Sequence, residues 1–250
     1  MKKYLILLAL TTFVLNELFA INTYFKGDTL VVWAEGGLSI RDTNSISGHR
    51  IDVIPYGEKV IVKSMKVFKY NEEKIKLTTA FQEGEVEYLG LSLNGRWVKV
   101  IYGEIEGFVF DGYLSKYSAP LLRENGYSES LQEYILREFG LLSQKDASGS
   151  GGDNVVREKY YGRGVSFFNL GTKTAYVRYI LPGFSQEEIV LFIKNSRMTN
   201  RNGAPRLYEN KFIKDENIRI LKFIYDEDGD GQITIRILSG MVIVESEASC

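Results

Sequence analysis

The stretch Asn94-Gly-Arg-Trp-Val-Lys-Val-Ile-Tyr102 decides the fold class of the first half of the chain. Asn-Gly is a strong hairpin signal, and the run it feeds, Trp97 to Tyr102, is β-branched and aromatic. Gly103 and Gly107 bracket a further turn before Phe108-Val-Phe110. Upstream, Leu30-Val-Val-Trp33 reads as a strand and Gly36-Gly37 as a turn. Leu38 and Ile40 alternate with Ser39 and Arg41, the period of a half-buried strand. In Pro55-Tyr-Gly57, proline sets φ and glycine accepts a left-handed position, so a second turn is expected before Val60 and Val62 alternate with charged neighbours. No helical period outlasts a single turn here. Residues 29–117 are expected to form a small antiparallel barrel.

The second half reads differently. After Ala119-Pro120, Ser130 with Glu133 forms a capping box. Leu131, Tyr134, Ile135, Leu136 and Phe139 supply an apolar helix side, and Gly140 a stop. The Gly/Ser-rich Asp146–Asn154 stretch lacks the Lys-Ser/Thr of a phosphate loop, so 118–154 is expected to be a helix and flexible linker. In 155–250, Val165–Leu170 and Ala175–Leu181 predict a hairpin, and Ser185-Gln-Glu-Glu188 caps a second helix carrying Ile189, Leu191, Phe192 and Ile193. Asn200–Pro205 is a polar turn, and Ile218–Tyr225, Gln232–Leu238 and Met241–Val244 predict a three-strand meander. The fold class is mainly β: a small barrel followed by an α+β domain with an antiparallel sheet.

Composition narrows the chemistry. The 250 residues hold one His, His49, and one Cys, Cys250. Ser-His-Asp and Cys-His catalysis, and His-rich zinc sites, are therefore poorly served. With 31 basic and 32 acidic side chains, nothing pulls the chain toward nucleic acid. His49, between Gly48 and Arg50, reads as a solvated loop side chain. Lys2 and Lys3 precede an uncharged run, Tyr4 to Leu15, that ends near Ala20. That describes a signal peptide over residues 1–20, with an uncleaved anchor as the alternative. No Cys follows the run, so a lipid anchor is not expected. No later segment is apolar enough to span a bilayer, and the expected location is periplasmic or secreted. A single Cys closes no internal disulfide; Cys250 reads as a free terminal thiol or an intermolecular link.

Gly37-Leu-Ser-Ile-Arg41, Ile54-Pro-Tyr-Gly57 with Val60-Ile-Val62, Trp97-Val-Lys-Val100, Gly107-Phe-Val109 and Gly112-Tyr-Leu114 occur in an order that resembles the bacterial SH3-like domain family. The resemblance covers about residues 29–117. Two departures are Phe108, where the family carries Trp, and the long insertion 64–93, expected to be an extended hairpin or mobile arm. The resemblance implies a non-catalytic binding module that recognises a cell-wall peptide or an envelope protein. It places a groove between the loop after Arg41 and the inserted loop, with Arg41, Tyr56, Trp97 and Tyr113 as candidate lining. Trp97 and Tyr113 have barrel packing as a structural alternative, and Arg41 a clamp on its own loop; Tyr56, in a turn, is expected to be the exposed aromatic.

Two other constellations hold carboxylates. In Asp226-Glu-Asp-Gly-Asp-Gly231, Asp226, Asp228, Asp230 and Gly231 match positions one, three, five and six of a calcium loop. The twelfth position is Ile237, and the flanks read as strands, so an acidic hairpin turn competes with a weak calcium site. No other cofactor is expected. Glu187 with Glu188, or Asp215 with Glu216, keep open the alternative of a carboxylate-based cell-wall hydrolase targeted by the barrel. Helix N-terminal charge and a polar loop account for both pairs without catalysis.

Overall fold

The computed structural model describes residues 24–64, 73–124, 126–148, 155–171, 174–196, 206–214, 216–224 and 231–249. The chain is mainly β, its two large sheets antiparallel throughout. Strands β1 (Thr29–Val32), β2 (Leu38–Arg41), β3 (Arg50–Ile54), β4 (Lys59–Ser64), β9 (Trp97–Tyr102), β10 (Ile105–Phe110) and β11 (Leu114–Ser115) make a seven-stranded sheet. Its order is β11-β1-β4-β9-β10-β2-β3. Among the described residues its edges β3 and β11 do not pair with each other, so the expected barrel stands as an open sheet.

Alternation gives this sheet two apolar faces. Leu30, Val32, Ile40, Val60, Val62, Val98, Val100 and Val109 enclose one core. Val31, Trp33 and Phe110 point the opposite way, into a second core shared with the rest of the chain. The turn signals resolve into two kinds. Gly57 adopts φ +80° in a turn closed by Glu58 N–H donating to the Pro55 carbonyl, as expected. Gly95 and Gly107 instead lie within strands, β8 (Ser92–Gly95) and β10, where close approach requires them. A Cβ on Gly107 would sit 2.7 Å from the Arg41 carbonyl oxygen, and one on Gly95 2.8 Å from the Gly112 nitrogen. The expected Asn94-Gly95 hairpin does not form: β8 pairs with β5 (Glu73–Lys76), and Trp97 opens a different sheet.

The described part of the 64–93 insertion is packed rather than free. It includes a hairpin of β6 (Phe81–Glu83) and β7 (Val86–Tyr88). Leu91 and Leu93 are buried in the shared core, Leu89 N–H donates to the Leu207 carbonyl at 2.6 Å, and Arg206 pairs with Glu83 at 2.8 Å.

Both predicted capping boxes form. Helix α1 (Leu131–Phe139) starts at Ser130 with Glu133 and stops at Gly140, φ +63°. Helix α2 (Gln186–Asn195) starts at Ser185 with Glu188. The second sheet has eight strands in the order β12-β13-β14-β15-β19-β18-β17-β16. They are β12 (Leu141–Ser148), β13 (Val155–Tyr161), β14 (Ser166–Gly171), β15 (Thr174–Pro182), β16 (Arg206–Ile213), β17 (Ile218–Ile224), β18 (Gly231–Leu238) and β19 (Met241–Ser249). The predicted hairpin and meander are β14–β15 and β17–β18–β19. Leu141–Ser148, expected to be linker, is an edge strand because its backbone completes the β13 ladder.

One face of the second sheet, through Tyr179, Leu181, Leu221, Phe223, Ile233, Ile235, Val242 and Val244, packs with both helices into the shared core. Aromatic rings lock the junction: Trp33 meets Tyr134 edge-on at 5.8 Å, and Tyr117 stacks on Phe184 at 4.8 Å. The Trp33 indole N–H donates to the Tyr117 carbonyl. No helix among the described residues is long and apolar enough to cross a membrane. The 1–20 segment and Cys250 lie outside the described residues.

Candidate functional site

A cleft of about 330 Å³ opens where the first sheet, the insertion and α2 meet. Its lining includes Arg41 from the end of β2, Trp97 from the start of β9 and Tyr113 from the turn after β10. Sequence reasoning named these three, and the sheet order brings them together because β9, β10 and β2 are successive neighbours. Trp97 and Tyr113 both meet Phe110 edge-on, at 6.0 and 6.1 Å, which makes an aromatic wall. Ile46 comes from the loop after Arg41, and Ile75 and Leu77 come from the insertion.

Arg41 does double duty. Its Nη1–H donates to the Gly48 carbonyl at 2.6 Å, which clamps the loop carrying His49, while its Nε–H is buried with no acceptor among the described residues. The Trp97 indole N–H is likewise buried, again with no acceptor among the described residues. Unpaired buried donors of this kind cost about 1–3 kcal/mol each, which an acceptor would offset. Burial raises the Tyr113 hydroxyl above its ordinary value, so it stays a neutral donor.

Tyr56 lies elsewhere. Its hydroxyl donates to the Pro120 carbonyl at 2.6 Å and ties the first sheet to the segment leading into α1. It is half-buried, not the exposed aromatic that its turn position predicts. Burial raises its hydroxyl, with Glu35 and Glu129 adding to the rise.

The cleft lining that sequence reasoning missed comes from α2: Leu191, Lys194 and Asn195. Lys194 lies 3.6 Å from Glu35 of the opposite wall. Their only sequence signal is position on an amphipathic helix, which does not say which neighbour the helix meets.

The Glu187–Glu188 pair is held by hydrogen bonds to neighbouring elements. Glu188 is 1 % exposed; its Oε1 accepts from the Ser115 hydroxyl at 2.5 Å and its Oε2 from Ser185 N–H at 2.7 Å. Each of its oxygens accepts a hydrogen bond. Glu187 is half-buried, and its Oε1 accepts from the Asn94 amide at 3.4 Å. Burial raises both carboxyls to about 7; hydrogen bonds oppose the rise, and nearby Asp111 adds to it for Glu187. Asp111 is buried, accepting from the Tyr24 hydroxyl at 2.5 Å and from Arg96 N–H at 2.6 Å.

Asp215 and the candidate calcium residues Asp226, Asp228 and Asp230 lie outside the described residues. The calcium candidates fall between β17 and β18, antiparallel neighbours, so strands flank them as predicted. Among the described residues no group of three potential metal ligands converges. A second, polar depression of about 390 Å³ lies on the outer face of the second sheet. Its carboxylates are engaged: Glu245 by Arg178, Arg236 and the Tyr176 hydroxyl, Glu209 by Lys222. Compared with protein-family models, curated proteins and solved structures, the chain matches none of them.

Proposed function

We propose that this is an exported, non-catalytic binding protein of the cell envelope, with residues 29–117 an SH3-like section whose cleft recognises a cell-wall peptide or an envelope protein. The observation that carries the reading is the convergence of Arg41, Trp97 and Tyr113 on one cleft, where Arg41 and Trp97 each carry a buried donor with no acceptor among the described residues. Its size sits at the lower end of the roughly 300–1,000 Å³ of ligand sites, which suits a short peptide segment better than a long glycan. The committed oxygens of Glu188 and the ion-paired carboxylates of the outer sheet face support a protein that binds without cleaving.

The test is retention of the protein on purified peptidoglycan sacculi and on immobilised envelope proteins, beside dye release from labelled sacculi. Retention on one of the two supports, lost at least about tenfold (about 1.4 kcal/mol) in an Arg41→Gln, Trp97→Phe double variant, and no dye release are expected. Dye release, or retention indifferent to the double variant, overturns the reading.

A further inference from the structure

The cleft beside α2 has a surplus of donors. Its charged lining is Arg41 and Lys194 against one carboxylate, Glu35. That carboxylate is already paired. Lys194 Nζ lies 3.6 Å from Glu35 and 3.4 Å from the Asn195 side-chain oxygen, so the ammonium draws on both acceptors of the α2 side.

On the side of the first sheet the donors are left over. Arg41 Nη1–H is taken by the Gly48 carbonyl at 2.6 Å, and its Nε–H is enclosed by protein. Its Nη2 is neither enclosed nor paired among the described residues, and the Tyr113 hydroxyl likewise has no partner there. A guanidinium presents N–H groups in a planar fork and no acceptor, so its open edge selects an anion that only accepts. A sugar hydroxyl must donate as well as accept, and the paired Glu35 serves it poorly.

The rest of the lining is mostly apolar. Ile46, from the loop after Arg41, is 57 % exposed, and Ile75, Leu77 and Leu191 line the same cleft with the Trp97 ring. Inorganic phosphate or sulfate offers these side chains no apolar surface to cover. A carboxylate carried beside a branched aliphatic side chain satisfies both halves of the cleft, whereas an alanine methyl covers little of the apolar half.

We propose that the cleft captures the carboxyl terminus of a partner protein whose last residue has a branched aliphatic side chain. The terminal carboxylate accepts from Arg41 Nη2–H, with the Tyr113 hydroxyl as a neutral second donor and Lys194 as a second cation. The last side chain packs among Ile46, Ile75 and Leu77. Glu35 competes for Lys194 and holds the affinity down. This inference rests on the cleft being the binding site, and it narrows the occupant to a protein end.

The test is isothermal titration calorimetry of the full chain with three probes. They are acetyl-glycyl-alanyl-leucine with a free carboxylate, its carboxamide, and acetyl-D-alanyl-D-alanine, whose small end is that of a wall peptide. The leucine acid is expected to bind at least about tenfold more tightly than the other two. Arg41→Gln is expected to erase the preference for acid over amide. Lys194→Met leaves the Gly48 clamp in place and is expected to weaken the acid and its dependence on salt, a readout that stands if Arg41→Gln loosens the loop. Glu35→Gln frees Lys194 and is expected to tighten the acid about twofold to fivefold with the amide unchanged, a gain that misfolding does not produce. Equal affinity for acid and amide, tighter binding of the D-alanyl end, no binding of any probe up to about 10 mM, or an acid affinity unmoved by Arg41→Gln and Lys194→Met overturns the inference. If the probes fail while retention on sacculi still depends on Arg41 and Trp97, the binding reading stands without a carboxyl end as its occupant. If the leucine acid binds as expected while retention fails on both supports, the carboxyl-end site stands and the envelope reading falls.

Discussion

Replacing Glu188 by Gln is expected to stabilise the protein in alkaline solution and to leave it nearly unchanged in acid. Glu188 is 1 % exposed, and burial moves its carboxyl from 4.5 to about 7. A carboxyl raised on folding contributes stability that is full below about 4.5 and is lost as pH rises through about 7. At 1.36 kcal/mol per pH unit, the whole displacement is worth about 3 kcal/mol. About 2 kcal/mol of that is lost between about pH 5.5 and about 8.5, because at the lower pH the unfolded carboxyl is already ionised. Glutamine keeps the capping-box geometry, since Gln serves at that position as Glu does. It retains an oxygen acceptor, and the Ser115 hydroxyl can turn to accept from the new amide. It carries no titration. For a chain of this size the difference amounts to about 4–8 °C in Tm. Differential scanning calorimetry of both proteins across that pH range measures it. Across that range the variant's advantage should grow by about 2 kcal/mol from the acid end to the alkaline end. Parallel stability profiles for the two proteins would refute both the burial argument and its sign.

The shared core makes the two sheets one cooperative unit, and Leu93→Ala tests it. Leu93 is fully buried and comes from the insertion, yet it packs into the core that holds α2 and the second sheet. A loss of about 2–5 kcal/mol is expected, with a single transition retained by both tryptophan fluorescence and far-UV circular dichroism. Two separated transitions would show that the sheets unfold independently. Gly107→Ala should cost about 1–3 kcal/mol, because its Cβ would press on the Arg41 carbonyl 2.7 Å away in the neighbouring strand. Urea denaturation measures it, and an unchanged midpoint would mean that β2 and β10 can separate without cost.

Local chemistry made much of the fold legible. Both helices begin where Ser-x-x-Glu predicts, since a capping box is decided by hydrogen-bonding groups three residues apart. The β14–β15 hairpin and the β17–β18–β19 meander follow from period-2 apolar runs between turn residues. Strand β12 escaped because Leu141–Ser148 is polar, and only its pairing with β13 shows that it is a strand. Asn94-Gly95 misled for a related reason. The dipeptide permits a tight turn, yet here the glycine meets a different demand, the close approach of Gly112 and Asp111.

By itself the sequence determined a mainly β chain with two capped helices, and it marked Arg41, Trp97 and Tyr113. Those results depend on period, turn chemistry and capping, which act over a few residues. Only the tertiary structure decided that Tyr56 faces Pro120 rather than the cleft, that the insertion feeds a shared core, and that α2 carries Glu188 to the first sheet, Glu187 to β8 and Lys194 to the cleft. Each of these depends on contacts between residues tens of positions apart. Burial, which raises the carboxyls of Glu187 and Glu188, exists only once those distant segments have packed together.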